Sequence, residues 1–152
     1  MADFEQTGTA GYRYLEEIVT ADVAFEAWGV TLEELFRVSA DAVLNVMIED
    51  IETVHRESRL TIELANPELD LLLFGFLNEL LFFKDARMLL LRLDRSSITE
   101  GEDGFSLRAD MAGERLDTLR HTQLVDVKAV TLHRLRVAQT SQGWEATVVL
   151  DI

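Results

Sequence analysis

Hydrophobic and polar positions follow two rhythms along this chain. After Gly29, Thr31 is followed three residues later by Glu34, the spacing of a capping box. Leu32, Leu35, Phe36, Ser39, Ala42, Val43, Val46 and Met47 then recur at helical period. The pattern predicts an amphipathic helix of about 18 residues, with Glu33, Arg37 and Asp41 on its polar face. A second helix is predicted to begin at Asn66, a favourable cap, with Pro67 at the first helical position and Glu68 in the first turn. From Leu69 to Phe83 it is apolar on nearly every side, which predicts burial on two faces, and Gly75 within it suits a close helix-to-strand approach.

Elsewhere the alternation has period two and predicts strands at about 11–19, 22–29, 54–65, 87–95, 104–112, 122–137 and 144–151. Charge and glycine gather in the segments 48–53, 96–104 and 140–143, which read as loops. In the longest strand Val125, Val127, Ala129, Thr131, His133, Leu135 and Val137 share one face. Asp126, Lys128, Val130, Leu132, Arg134 and Arg136 share the other. The whole predicts an α+β fold: a mainly antiparallel sheet, or two packed sheets, with two principal helices on one side. A single domain spans 12–152, preceded by a flexible segment 1–11.

Composition narrows the functional classes. The 152 residues suit one core, and the longest apolar run is broken by Asp70, Asn78 and Glu79, so no membrane helix is predicted. The amino terminus, MADFEQTGTAGYRY, is acidic where a secretory signal is basic, which points to the cytoplasm. Without cysteine there is no disulfide framework, thiolate zinc site, cysteine nucleophile or dithiol redox pair. The formal charge of −14, from 28 acidic against 14 basic residues, opposes direct high-affinity binding to nucleic acid or to anionic membranes. It favours divalent cations and basic proteins.

The common catalytic templates do not occur. There is no Gly-rich phosphate loop, no Gly-x-Ser-x-Gly elbow and no His-Glu-x-x-His, and the three histidines, His55, His121 and His133, lie at no zinc-pair spacing. Glu100-Gly-Glu-Asp-Gly104 lacks the alternating ligands of a calcium loop and reads as a hairpin turn on Asp103-Gly104. Glu49, Asp50 and Glu52 read as a helix exit. Position singles out Asp22, at the junction of two strand-like segments, and Asp151, next to Ile152. If the last strand runs to Leu150, Asp151 and the Ile152 α-carboxylate stand together, and carboxylates that close call for a cation or a proton between them. Hard oxygen donors suit calcium or magnesium rather than zinc.

Four blocks occur in a recognisable order: Thr20-Ala-Asp-Val-Ala-Phe25, Gly29-Val-Thr-Leu-Glu-Glu-Leu-Phe36, Val127-Lys-Ala-Val-Thr-Leu-His133, and Trp144 through Val148-Val-Leu-Asp-Ile152. Together they resemble the archease family over nearly the whole chain, from Tyr12 to Ile152. Archeases are small acidic proteins that assist the RtcB-type RNA ligase of tRNA splicing and RNA repair. The resemblance therefore implies a non-catalytic activator that promotes ligase guanylylation and multiple turnover. It implies a divalent-metal site of Asp22, Asp151 and Ile152 through its terminal carboxylate, with calcium foremost and magnesium or manganese as alternatives. The loop after the first helix and the block from Lys128 to His133 become candidates for the ligase-facing surface. Arg120-His121 matches an Arg-His that the family often carries just upstream, which adds His121 to the interface candidates.

Two positions depart from the family pattern. Val19 stands where members usually have His before Thr-Ala-Asp, and Leu132 where many have Tyr. Read from the residues alone, Lys128 is equally a solvated strand lysine paired with Asp126 or a neighbouring acid, and His133 a core histidine with its ring nitrogens satisfied by backbone. Two other functions stay open at this point: a chaperone-like modulator of an RNA methyltransferase, and a small metal-dependent hydrolase built on Asp22 and Asp151.

Overall fold

A computed structural model describes residues 9–15 and 22–152 of the chain. Most of the predicted flexible segment, the end of the first predicted strand, and Val19, Thr20 and Ala21 lie outside the described residues. The elements run β1 (Gly11–Leu15), β2 (Asp22–Gly29), α1 (Leu32–Met47), a single 3₁₀ turn (Ile51–Thr53), β3 (Ser58–Asn66) and α2 (Leu69–Arg87). They continue with β4 (Leu89–Gly101), β5 (Gly104–Arg115), β6 (Ala129–Val130), β7 (Arg136–Thr140) and β8 (Gly143–Asp151). All described strand pairs are antiparallel and form two sheets. One has the order β1-β2-β8-β6, with β7 also paired to β8, and the other the order β3-β5-β4. The predicted α+β class and the two-sheet arrangement hold. No helix among the described residues is long and apolar enough to cross a membrane.

Helix α1 begins as its capping box dictates. The Glu34 N–H donates to Thr31 Oγ1 at 3.1 Å, and Glu34 Oε1 accepts from the Val30 N–H at 2.8 Å, one residue upstream of the cap. Its apolar stripe packs against β1, β2 and β8 on one side and β4 on the other, so α1 ties the two sheets together. Across the β4 contact, Arg92 forks onto Asp41 at 3.1 and 3.0 Å, both side chains nearly buried. Asp41, expected on the polar face, is the buried half of an ion pair.

Helix α2 corrects the predicted cap. Asn66 Oδ1 accepts from the Glu68 N–H at 2.9 Å, an Asx turn that ends β3, while the helix itself starts at Leu69 with no side-chain cap. The helix buries Leu72, Leu73, Phe76, Leu77, Leu80 and Leu81 against β3, β4 and β5 and against β6 and β7. Leu71 and Phe82 remain exposed, so burial is two-sided without being complete. Gly75 meets β3 in ordinary contact: a Cβ there would lie 3.8 Å from Leu64 Cδ1.

Two other expectations give way. The loop predicted at 96–104 is mostly ladder, with β4 and β5 pairing up to Gly101↔Gly104 around a two-residue turn, Glu102-Asp103. That turn is docked: Gly104 has φ +119, and a Cβ on it would come within 2.4 Å of Pro67 Cα. The long strand predicted at 122–137 is broken in two places. Residues before Ala129 are spent on the end of α1, where the Leu124 and Val125 N–H groups donate to Met47 O and Val46 O at 2.8 and 3.5 Å. These are helix-terminal carbonyls that otherwise lack partners. Beyond Val130 the chain leaves the ladder through a turn with Leu135 N–H to Leu132 O at 3.2 Å and Arg134 in the left-handed region at φ 57, then rejoins β8 as β7.

Candidate metal centre and its surroundings

Asp22 opens β2 and Asp151 closes β8, and the antiparallel register sets the two directly opposite each other, Asp22↔Asp151. Opposed residues of a pair project from the same face with Cβ atoms about 5 Å apart. On its other side Asp151 faces Ala129 of β6, so it stands in the interior of the sheet, at its end. Both aspartates are half-buried, and neither side chain bonds to a cation among the described residues. Like charges in this position destabilise a sheet unless a proton or a cation joins them. Ile152 follows directly and packs half-buried against the core. These donors are all oxygens, which suits a hard divalent ion; in that respect the residues present fit the expected group.

The neighbouring strand is held from two directions. The Lys128 N–H donates to Asp151 O at 2.8 Å, while the Lys128 side chain is exposed. One step earlier, Lys84 of α2 reaches across with Nζ 2.5 Å from Asp126 Oδ1 and 3.1 Å from Val127 O, and also pairs with Asp85. Partial burial alone would lower the Lys84 pKa, but the hydrogen bonds to Asp126 and Asp85 outweigh it and raise it. Lys84 thus fixes the entry to β6 beside the acidic pair. Lys128 is solvated, as the residues alone allow, but its expected partner Asp126 is occupied by Lys84 instead.

The structure separates the two histidine candidates. His133 lies exposed in the turn between β6 and β7, its N–H donating to Thr131 Oγ1 at 3.2 Å; the predicted apolar-face position is lost because the strand breaks there. His121 lies in the interior at 1% exposure, and its ring presents no surface to a partner. Its Nδ1 accepts from the Asp117 N–H at 2.9 Å, which places the ring proton on Nε2, 2.9 Å from Glu114 Oε2. Glu114, at 4% exposure, also accepts from the His55 N–H at 2.8 Å and from Arg120 Nη2 at 2.5 Å. The Arg120 guanidinium, acting against burial and helped by the His55 N–H and His121, pushes the Glu114 pKa down to about 2.

Sequence reasoning noticed Arg120-His121 and missed Glu114. The available signal was an acid in phase with the buried Ala112, directly after the run Met111 to Gly113. An open depression of about 550 Å³ lies elsewhere, on the outer face of the three-stranded sheet, where Arg56 and Arg59 clamp Asp94 and pull its pKa below the usual carboxylate range.

With this geometry in view, the model of the Archease protein family (MTH1598/TM1083) matches residues 12–152. The chain belongs to the archease family. Among curated archeases, that of Methanosarcina mazei is 38% identical over 142 residues, covering 93% of this chain and 95% of its own. That of Thermococcus gammatolerans is 36% identical over 134 residues, covering 88% and 94%. The solution structure of Methanobacterium thermoautotrophicum protein 1598 superposes with TM-score 0.80 at 31% identity, over 93% of this chain and 99% of that one. The crystal structure of a Thermotoga maritima archease, described as a possible chaperone, shares the fold at TM-score 0.57 and 16% identity, over 92% and 99%. The family expected from the four sequence blocks is therefore established.

Proposed function

We propose that this chain is a non-catalytic cofactor of an RtcB-type RNA ligase, promoting guanylylation and multiple turnover in tRNA splicing and RNA repair. The observation that carries the reading is the register pair Asp22↔Asp151, two half-buried carboxylates opposed at a sheet end in a protein of the archease family. Asp22, Asp151 and the α-carboxylate of Ile152 would hold a divalent ion, calcium before magnesium or manganese. When bound, that ion supplies positive charge for phosphate oxygens at the mouth of the ligase site.

The chain's own residues do the rest. Lys84 fixes the approach to β6, and the Lys128 N–H bonds the Asp151 carbonyl oxygen, so that strand is anchored beside the aspartates while the Lys128 side chain stays exposed. Lys128 and the exposed His133 lie on one continuous segment and form the surface offered to the ligase; the buried His121 is not part of it. The charge of −14 draws the protein toward the basic RNA channel of such a ligase and raises the association rate in a salt-dependent way. Partner binding in the cytoplasm, with no direct high-affinity nucleic-acid contact and no membrane, completes the reading.

The test is multiple-turnover ligation by the cognate ligase at limiting metal and GTP, with wild-type protein or Asp151→Asn. Acceleration by wild type alone supports the reading. No acceleration by wild type overturns it and favours assistance to another partner, such as an RNA methyltransferase. Phosphate-ester hydrolysis by the isolated chain would instead make it an enzyme.

A further inference from the structure

A second cluster of metal-ligating side chains stands apart from the aspartate pair and has no part in the function just proposed. His55 and Glu57 lie in the segment leading into β3, and Glu114 lies near the end of β5; one potential ligand atom from each falls within 4.8 Å of the others. His55 Nδ1 is 3.6 Å from Glu57 Oε2 and 3.9 Å from Glu114 Oε1. Both separations exceed a hydrogen bond and approach the edge of a tetrahedron drawn around an ion with bonds of about 2.0–2.2 Å to nitrogen and oxygen.

Acceptor accounting at Glu114 points the same way. A carboxylate has about four lone-pair positions. Glu114 Oε2 uses its two on the His55 N–H and His121 Nε2, and Oε1 uses one on Arg120 Nη2. Among the described residues the remaining Oε1 position has no hydrogen-bond donor, and Oε1 is the Glu114 oxygen near His55 Nδ1. The carboxylate is itself oriented by the buried His121, whose tautomer the Asp117 N–H fixes, the kind of support that positions a ligand for metal. The other two side chains, His55 and Glu57, are solvent-accessible, so the cluster opens outward onto a cleft whose charged lining is Glu57, Glu114, Arg115, Asp117 and Arg120.

We infer that His55, Glu57 and Glu114 form a second cation site, suited to a borderline divalent ion such as zinc or cobalt(II). The imidazole nitrogen sets this preference apart from the all-oxygen pair Asp22 and Asp151. With Nδ1 on the ion, the His55 ring carries its proton on Nε2 and gives up a long, 3.5 Å contact to Arg120 Nη1; Arg120 keeps Thr53 O at 2.8 Å and Glu114. Glu57, Glu114 and Asp117 against Arg115 and Arg120 leave the cleft net negative by one charge, which favours a dication.

The probe is cobalt(II) alone, titrated into the full chain and followed by visible absorption and calorimetry, with zinc as competitor. One equivalent is expected to bind. Affinity should fall by about 10-fold or more in His55→Ala and in Glu57→Gln, both exposed positions whose folding is checked by circular dichroism. The Asp22→Asn and Asp151→Asn variants should bind cobalt unchanged, and calcium should not displace it. Unaltered affinity in the two cluster variants, or loss in the aspartate variants, overturns the inference. Because the aspartates are assayed separately with calcium, failure here is distinct from failure of the ligase reading.

Discussion

Neutralising Asp151 makes a prediction with two opposite signs. In the metal-free protein, Asp151→Asn removes a like-charge pair set directly across the β2–β8 ladder. Two unit charges about 5–6 Å apart at an effective dielectric near 20 repel by about 3 kcal/mol. Both groups are only half-buried, so solvent screening reduces this toward the ~0.2–1 kcal/mol of cross-strand pairs. For a domain of this size the gain is a rise of up to about 3 °C in Tm. With calcium the order reverses: at 100 times its dissociation constant an ion gives the wild type about 2.7 kcal/mol, roughly 8 °C, and gives the variant little. Differential scanning calorimetry in chelator and in calcium measures both. A variant less stable in chelator yet equally stabilised by calcium would show that the pair neither repels nor binds, and the site would be refuted.

The remaining predictions concern the supports of the site and the turn against α2. The pKa of Glu114 is lowered from 4.5 to about 2, so it contributes stability that is fully present above pH 4.5 and lost as pH falls toward 2. Glu114→Gln should flatten that acid limb in denaturant titrations from pH 6 down to about 2, and at neutral pH should cost about 2–3 kcal/mol through the charge-assisted bonds it weakens. An acid limb unchanged in the variant would remove Glu114 as its source. Lys84→Met should leave Asp126 and Val127 O without their ammonium partner, speed amide exchange across 126–130 and weaken calcium binding about 10-fold. Equal exchange in variant and wild type would show that β6 is held without it. Gly104→Ala should cost about 1–3 kcal/mol, because φ is +119 and the new Cβ meets Pro67; thermal unfolding reads this directly.

What the sequence determined by itself was local. The capping box at Thr31 and Glu34 and the helical period that follows depend on residues within a few turns of one another, and α1 starts where they say. The alternation in 22–29 and 144–151 likewise determined two strands, and the four family blocks determined the family. The tertiary structure decided which positions face each other. Asp22 and Asp151 are near opposite ends of the chain, and only the β2–β8 register brings them together. Period two continued through 122–128, yet those residues do not form a strand, because the carbonyls ending α1 and the ammonium of Lys84 compete for that backbone and win. His133 left the apolar face for the same kind of reason, a turn at Arg134 that no pattern announced. The Glu114, His121 and Arg120 network was equally illegible: a buried carboxylate is tolerable only where donors from separate segments converge on it, and convergence in space leaves no period in the sequence.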